Sequence, residues 1–197
     1  MEHIYPIYNN SVPREEKENF LGQRGTVFWL TGLSGSGKST LALKLEKSLL
    51  KLNHLSTILD GDNVRSGLCK DLTFIEADRE ENVRRISELA KLFVRNGIVT
   101  ICSFVSPLQS MRQLAKETIG ASDFHLIHVK ASVETCIQRD TKGLYKMALG
   151  GELKNFTGID APFDLPENPD LVLDTEEESE ESNIQILLNY VLKYIKL

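Results

Sequence analysis

The eight residues Gly32-Leu33-Ser34-Gly35-Ser36-Gly37-Lys38-Ser39 follow the pattern G-x-x-x-x-G-K-[ST], which is typical of a loop that wraps the phosphates of a nucleotide. The apolar run 26–31 before this loop predicts a buried strand, and leucines with helical spacing follow it at 41, 45, 49 and 52. Lys38 would reach the terminal phosphates, and Ser39 can bind Mg²⁺. The order strand, glycine loop, helix therefore predicts binding of a nucleoside triphosphate. The alternative is a glycine-rich turn that fits the pattern by chance.

Length and composition limit what surrounds this loop. The chain has 197 residues, 41% hydrophobic and 26% charged, which is enough for one sizeable domain. Its net charge of −5 argues against binding to nucleic acid or to an anionic membrane. Cys69, Cys102 and Cys136 are scattered, which favours reduced thiols over disulfides or zinc. Without an apolar leader or a membrane-length run, we expect a cytoplasmic protein.

Apolar periodicity along the rest of the chain alternates between strand and helix. We predict an N-terminal arm over 1–23, with a short helix at 15–21, and one domain over 24–197. The predicted strands are 26–31, 56–60, 98–102, 124–129 and 171–173, and the predicted helices are 78–96, 108–119 and 184–195, the last one preceded by the acidic run 176–181. This alternation predicts an α/β fold with a mostly parallel sheet, helices on both faces and ligands at the carboxyl ends of the strands. The four histidines show no metal-ligand spacing, and we treat those on the predicted strand 124–129 as structural: His3, His54, His125 and His128.

The segment 141–169 breaks this rhythm, because it contains many glycines, prolines and lysines. A long irregular segment beside a ligand site is often functional, so we interpret it as a mobile lid. The alternative is a disordered surface excursion.

A second chemical cluster, Asp60-Gly61-Asp62-Asn63-Val64-Arg65, stands at the end of a predicted strand. Phosphoryl transfer needs an acid for the metal, a group that orients the acceptor hydroxyl, and cations for the moving charge. Asp60, Asp62 and Arg65 supply these types. An ordinary acidic turn is the alternative, but the sequence contains no later Asp-Glu pair after an apolar strand.

Other candidate residues have ordinary structural explanations as well. Arg79 and Asn82 share a helix face that could bind an anion, yet a solvated charged face has the same spacing. Ser106 follows a strand end, although Ser-Pro is also a common start of a helix. Phe74 and Phe156 could stack on a base or pack on the core.

Arg139 and Lys142 stand where a predicted helix gives way to the lid. Cations on lids commonly meet transferred phosphates when kinases close.

Taken together, these residues resemble the adenylylsulfate kinase family, whose members phosphorylate the ribose 3′-hydroxyl of adenosine 5′-phosphosulfate with MgATP. Five motifs in order carry the resemblance, which runs from about Arg14 to Thr175: TGLSGSGKST at 31–40, LDGDNVR at 59–65, DRxENxRR at 78–85, FxSP at 104–107, and RDTKGLYK with FTGID at 139–146 and 156–160.

The resemblance implies a P-loop NTPase-type fold and a role for each matching residue. The ATP-binding set would be Gly32, Leu33, Ser34, Gly35, Ser36, Gly37, Lys38, Ser39, Thr40 and Arg139. The substrate-binding set would be Asp62, Arg65, Phe74, Arg79, Asn82, Ser106, Lys142 and Phe156, with the two phenylalanines enclosing the adenine. Asp62, Lys38 and Ser106 would be catalytic, with Ser106 at a position where the family can carry a transient phosphoserine. Ser39 and Asp60 would hold Mg²⁺.

The family's usual partners are ATP, adenylylsulfate and a second copy of the chain in a homodimer. One segment departs from the family pattern, because Leu108 and Gln109 replace an aromatic residue and an arginine, and only Arg112 remains before Lys116. Two rival functions stay open: a kinase for another small acceptor, and a nucleotide switch or binding module without turnover.

Overall fold

The computed structural model describes Ile4, Tyr5, Ile7 and residues 10–197. Positions 1–3, 6, 8 and 9 of the predicted arm, His3 among them, lie outside the described residues. Five strands form within them: β1 Val27–Thr31, β2 Ser56–Asp60, β3 Val99–Ser103, β4 Phe124–Lys130 and β5 Leu171–Asp174. The helices are α1 Arg14–Leu21, α2 Lys38–Lys51, α3 Gly61–Ser66, α4 Glu76–Arg95, α5 Gln109–Ile119, α6 Val133–Arg139, α7 Leu144–Leu149 and α8 Glu180–Ile195. Of the helices that these residues form, none is both long and apolar enough to cross a membrane.

The strands form one parallel sheet in the order β2-β3-β1-β4-β5. This confirms the predicted α/β fold. Strand β1 lies in the middle and pairs with β3 on one side and β4 on the other. All five β1 residues are buried because helices cover both faces, which explains the continuous apolar run at 27–31. The carboxyl ends of the strands open a crevice where ligands bind in such sheets.

Alternate side chains of β1 face two separate cores. Trp29 packs among residues of α4 and α5, including Ile86 and Met111. Phe28 packs on the other face, where α2 and α8 contribute Leu45 and Leu187. The sheet is therefore clamped between two helical layers, and the loop after β1 has a rigid support on both sides.

Several element boundaries differ from the sequence prediction. Helix α3 was not predicted; it begins at Gly61 because the Asp60 side chain caps it by accepting a hydrogen bond from the Asp62 backbone N–H. Leu52 was expected on the apolar face of α2, but it lies beyond the last helical residue and is 47% exposed. The acidic run 176–181 enters α8 only at Glu180, because Ser179 caps the helix.

The segment 14–23 is attached to the amino ends of the strands. The Arg14 guanidinium donates to the Gly25 carbonyl at 2.8 Å and to Asp123, just before β4, at 2.6 Å. The Gln23 amide bonds to Leu55 and to the Gly97 carbonyl, which precede β2 and β3. These bonds join residues 14–23 to the sheet, and the division of the chain at residue 23 stays a prediction.

The cysteines and the strand histidines occupy structural positions. All three cysteines are free and buried, as the sequence predicted. His125 and His128 lie in β4, where burial lowers the pKa of both imidazoles. His125 Nδ1 lies 2.9 Å from the Tyr190 hydroxyl, a contact that agrees with the structural interpretation of this histidine.

Candidate active site

A cleft of about 780 Å³ lies at the carboxyl end of the sheet. Its walls come from the phosphate-binding loop, the ends of β2 and β3, α3, and the segment 139–157. A second, smaller cavity of about 480 Å³ lies beside α1 and contains mostly apolar side chains such as Val12 and Phe20. Only the larger of these two contains the loop, the acidic cluster and the lid residues that the sequence singled out.

Backbone geometry explains why the loop after β1 needs glycine. At Gly32, a Cβ atom would lie 2.3 Å from the Val129 carbonyl oxygen, so a side chain has no room. Gly37 has φ 100°, in the left-handed region that glycine adopts at low cost, and it precedes α2 directly. The loop therefore delivers the positive end of the α2 dipole to the cleft, where an anion is stabilised.

Lys38 is held inside this loop. Its Nζ donates to the Gly32 carbonyl at 2.9 Å and the Leu33 carbonyl at 2.7 Å, and the residue is only 8% exposed. Burial lowers the pKa of Lys38 to about 8, since these partners are dipoles and not full negative charges. A phosphate group at the loop would supply the missing counter-charge.

Oxygen donors meet beside the first turn of α2. Ser39 Oγ donates to Asp60 Oδ2 at 2.8 Å and lies 3.3 Å from Ser103 Oγ. Mg²⁺ is usually held by one or two protein oxygens together with phosphate oxygens and water. Among the described residues no group of three or more histidine, cysteine or acidic side chains could hold a metal. The pair Ser39 and Asp60 fits a magnesium ion that arrives with a nucleotide.

Asp62 and Lys142 form an ion pair, although they are 80 positions apart in the sequence. Asp62 lies in the first turn of α3, and Lys142 lies just before α7. Their side chains are 72% and 56% exposed, respectively. The fold thus brings two of the predicted site residues together on the open side of the cleft, where neither is fixed by burial.

Phe74 and Arg79 line the cleft, and Arg65, which is not part of its lining, packs against the Phe74 ring. The Arg65 guanidinium lies 4.4 Å from the centre of the Phe74 ring, and Arg79 Nε donates to the Phe74 carbonyl at 2.8 Å. Arg79 also donates to Thr157 Oγ1 at 2.9 Å and to the Asn155 carbonyl. One arginine therefore ties the Phe74 loop to the segment that carries Phe156.

Phe74 and Phe156 line the same cleft, but Phe156 is more deeply buried than Phe74. Phe74 is 59% exposed, so the alternative that it packs on the core is wrong. Phe156 is half-buried, and its ring meets Tyr145 edge-on at 4.9 Å between centroids. Both rings border the cleft, and at least one is free to contact a ligand.

Arg139 lies beside the phosphate-binding loop. Its guanidinium donates to the Thr175 carbonyl at 2.6 Å, to Thr175 Oγ1 at 3.0 Å and to the Gly35 carbonyl at 3.3 Å. Sequence reasoning did not select Thr175, whose hydroxyl also donates to the Ser36 carbonyl at 3.1 Å. Tyr145 was quoted only within a motif, yet its hydroxyl donates to the Ser34 carbonyl at 2.9 Å. Both residues support the loop from outside.

Ser106 and Asn82 lie behind the cleft wall. Each is 4% exposed. Ser106 Oγ accepts a hydrogen bond from Trp29 Nε1 at 2.9 Å, and Asn82 Nδ2 is buried without a hydrogen-bond partner among the described residues. Asn82 therefore does not belong to a solvated charged face. Substrate contacts of these two residues stay predictions.

The segment 141–169 is more regular than its glycines and prolines suggested. It contains α7, which begins after Gly143, and a short bridge between Thr157 and Ala161. The Asp140 carboxylate accepts from two backbone N–H groups in the first turn of α7. Asp160 accepts from the backbone N–H groups of Asn155 and Phe156, which lowers its carboxyl pKa. The segment folds against the cleft, and its motion as a lid stays a prediction.

Comparison with known proteins agrees with this geometry. The sequence model of the family described as Adenylylsulphate kinase matches residues 24–174. An adenylyl-sulfate kinase of Phocaeicola vulgatus is 53% identical over 194 residues, which cover 98% of this chain and 95% of the relative.

Solved structures give the same family. The APS kinase CysC of Mycobacterium tuberculosis, in complex with AMPPNP and APS, superposes with a TM-score of 0.79 at 42% identity and covers 83% of this chain and 96% of its own. A hexameric APS kinase from Thiobacillus denitrificans superposes with a TM-score of 0.65 at 31% identity, covering 88% of this chain but 30% of its own.

Proposed function

This chain belongs to the adenylylsulfate kinase family, and on that premise we propose that it transfers the γ-phosphate of ATP to the 3′-hydroxyl of adenosine 5′-phosphosulfate. The products are ADP and 3′-phosphoadenylylsulfate. The observation that carries this proposal is a single cleft lined by the phosphate-binding loop, Asp62, and the Phe74 and Phe156 rings. One end suits a triphosphate, and the aromatic rings suit the adenine of a second nucleotide.

Phosphoryl transfer depends mainly on positioning and on charge stabilisation. Lys38 already points across the loop, and the α2 N-terminus adds its partial positive charge. When a nucleotide binds, Lys38 exchanges two carbonyl partners for phosphate oxygens, and Arg139 lies near enough to the loop to help hold the nucleotide. These groups neutralise charge on the transferred phosphate without moving far.

Ser39 and Asp60 would hold Mg²⁺ through their oxygens. When bound, the ion would supply positive charge that stabilises the phosphate oxygens. The hydrogen bond between Ser39 and Asp60 keeps both oxygens at the same spot before any nucleotide arrives.

Asp62 is our candidate for the group that orients and deprotonates the acceptor hydroxyl. Its carboxylate is exposed to the cleft. Its partner in the ion pair is Lys142, and lysine has a flexible four-carbon side chain. Release of Lys142 towards the phosphates would free Asp62 to accept the 3′-hydroxyl proton.

Arg65, Arg79, Phe74 and Phe156 would bind adenylylsulfate. Arg79 restrains both phenylalanine-bearing segments, so an adenine between the rings would enter a largely preformed slot. Asn82 and Ser106 would act from the wall behind. Closure of the segment 141–169 would then exclude water that otherwise hydrolyses ATP.

The deciding experiment measures ADP release with MgATP and compares adenylylsulfate with AMP, adenosine, shikimate and gluconate as acceptors, with the product identified by mass. We expect turnover with adenylylsulfate and little with the others. Preference for another acceptor would refute the substrate assignment. Binding of adenylylsulfate without ADP release would instead support a binding module.

We further propose a homodimer in the cytoplasm. Three free, buried cysteines support a reducing compartment, and the dimer is the family expectation. The hexameric relative makes the assembly a question for light scattering at several protein concentrations, where a mass of twice 22.2 kDa is expected.

A further inference from the structure

Arg112 of α5 is buried at 1% exposure, and all of its hydrogen-bond donors are used inside the protein. Nε and Nη2 both donate to the Gln109 side-chain oxygen, at N···O distances of 3.1 and 2.7 Å. Nη1 donates to the carbonyls of Ser106 at 2.8 Å and Pro107 at 3.2 Å, and Nη2 also donates to the Asp164 carbonyl at 2.9 Å. An arginine has five N–H donors, so none remains for a substrate anion.

These bonds join two segments that lie far apart in the sequence. Ser106 and Pro107 form the turn after β3, and Asp164 belongs to the end of the predicted lid. Two further bonds connect the same segments: Asp164 N–H donates to the Pro107 carbonyl at 2.8 Å, and Gln109 N–H donates to Asp164 Oδ2 at 2.9 Å. The Phe163 ring lies 5.8 Å from the guanidinium. Arg112 is the centre of this junction.

The turn that Arg112 holds is strained. Ser106 has φ 41°, a left-handed conformation that non-glycine residues keep only where their surroundings fix it. Its carbonyl is fixed by Arg112, and its hydroxyl accepts from Trp29.

We propose that Arg112 is a positioning residue, which sets the Ser106 turn and anchors the end of the lid segment to it, so that the adenylylsulfate side of the cleft is formed before the ligand binds. This inference rests on the proposed function. It also assigns the surviving arginine of the altered segment 108–116 a role inside the protein and not on the sulfate or phosphate of the substrate.

The kinetic test compares Arg112→Met with Arg14→Met. Arg14 is the control, because its guanidinium also joins distant segments through hydrogen bonds, here to the Gly25 carbonyl and the Asp123 carboxylate at the opposite end of the sheet. For Arg112→Met we expect KM for adenylylsulfate to rise about tenfold, with KM for MgATP changed by less than about twofold. Arg14→Met should leave both constants unchanged. Arg112→Lys keeps the charge but has three donors, so we expect an intermediate KM.

A second variant tests the same junction in case Arg112→Met does not fold. The Asp164 side chain is exposed, so Asp164→Ala removes one bond of the junction without opening the core. We expect KM for adenylylsulfate to rise about two- to threefold, and Asp164→Asn, which keeps an acceptor oxygen, to restore it.

Hydrogen exchange of the unliganded protein separates this proposal from the proposed function. In Arg112→Met, the segments 104–107 and 163–165 should lose protection together, whereas Arg14→Met should change neither. If the wild-type protein fails to turn over adenylylsulfate, the proposed function fails while this exchange result still tests the junction. Unchanged exchange in both segments, or equal KM shifts for the two nucleotides, would overturn the positioning role.

Discussion

Each end of the sheet holds a cation, Arg14 partly exposed and Lys38 buried, and the two positive charges have opposite kinds of partner. At the amino end, Arg14 meets the carboxylates of Asp123 and Glu18, and its hydrogen bond to Asp123 raises the pKa of the guanidinium. At the carboxyl end, Lys38 meets only two backbone carbonyls, and burial lowers its pKa. The first cation is hydrogen-bonded to carboxylates, whereas the second feels the carboxylates of Asp60 and Asp62 only at longer range.

This difference fits a structural role for the arginine and the proposed phosphate-binding role of the lysine. A buried charge without a counter-charge destabilises the folded state, whereas a charge paired with a carboxylate contributes to it. The energy missing at Lys38 is recovered when a phosphate supplies the negative charge. The position of Lys38 therefore supports the proposal that nucleotide binds at the carboxyl end of the sheet.

The largest effect is expected at Asp62, which lies at the carboxyl end of the sheet and forms an ion pair with Lys142. Asp62→Ala should lower kcat by about 10³-fold, because the acceptor hydroxyl loses its proton acceptor, while ATP binding persists. ADP release and ATP titration measure the two properties. The control is Asp71→Ala, which removes another exposed, ion-paired aspartate outside the cleft. Near-normal turnover of Asp62→Ala would refute the role of Asp62.

The pH dependence of ATP affinity tests the charge state of Lys38. In the unliganded protein, the pKa of Lys38 is about 8, and a bound phosphate should raise this pKa. Affinity should therefore be constant below pH 8 and fall by up to about tenfold per pH unit as the pH rises above it. Calorimetric titration between pH 7 and 9.5 measures this. Lys38→Met should bind weakly at every pH, and an equally steep loss in that variant would contradict the assignment.

The exposed aromatic at the cleft offers a smaller effect. Phe74→Ala should raise KM for adenylylsulfate about tenfold with little change in KM for MgATP, since stacking on a base contributes about 1–3 kcal/mol. Phe20→Ala is the control, because Phe20 on α1 is 89% exposed and lies at the amino end. Similar kinetic constants for the two variants would show that Phe74 does not touch the substrate.

The smallest effect concerns stability and has opposite signs at the two ends. Arg14→Met should lower the free energy of unfolding by about 1–2 kcal/mol, because three partners lose a partly exposed cation. Lys38→Met should leave stability equal or higher, because it removes a buried charge without a carboxylate partner. Urea unfolding at pH 7 compares them. A large destabilisation of Lys38→Met would contradict the contrast between the two ends.

Local sequence determined most of the secondary structure and the location of the candidate site. Apolar periodicity predicted β2 with its observed bounds and the other strands within one residue at either end. The glycine pattern at 32–39 required a particular loop, since Gly32 has no space for a side chain. Helices α3 and α7 were not predicted because each is only six residues long and begins at a residue, Asp60 or Gly143, that is equally common in an ordinary turn.

Tertiary structure decided which of the candidate residues meet and which are used elsewhere. Residue types and spacing placed Asp62 and Lys142 on a list of candidates, but only the fold brought them into contact across 80 positions. Residue types could not show that Arg112 uses all of its N–H donors within the protein. Nor could they show that Lys38 is hydrogen-bonded to carbonyls and not to a carboxylate. Those outcomes depend on burial and on distant carbonyl and carboxylate partners, which a pattern of neighbouring residues does not encode.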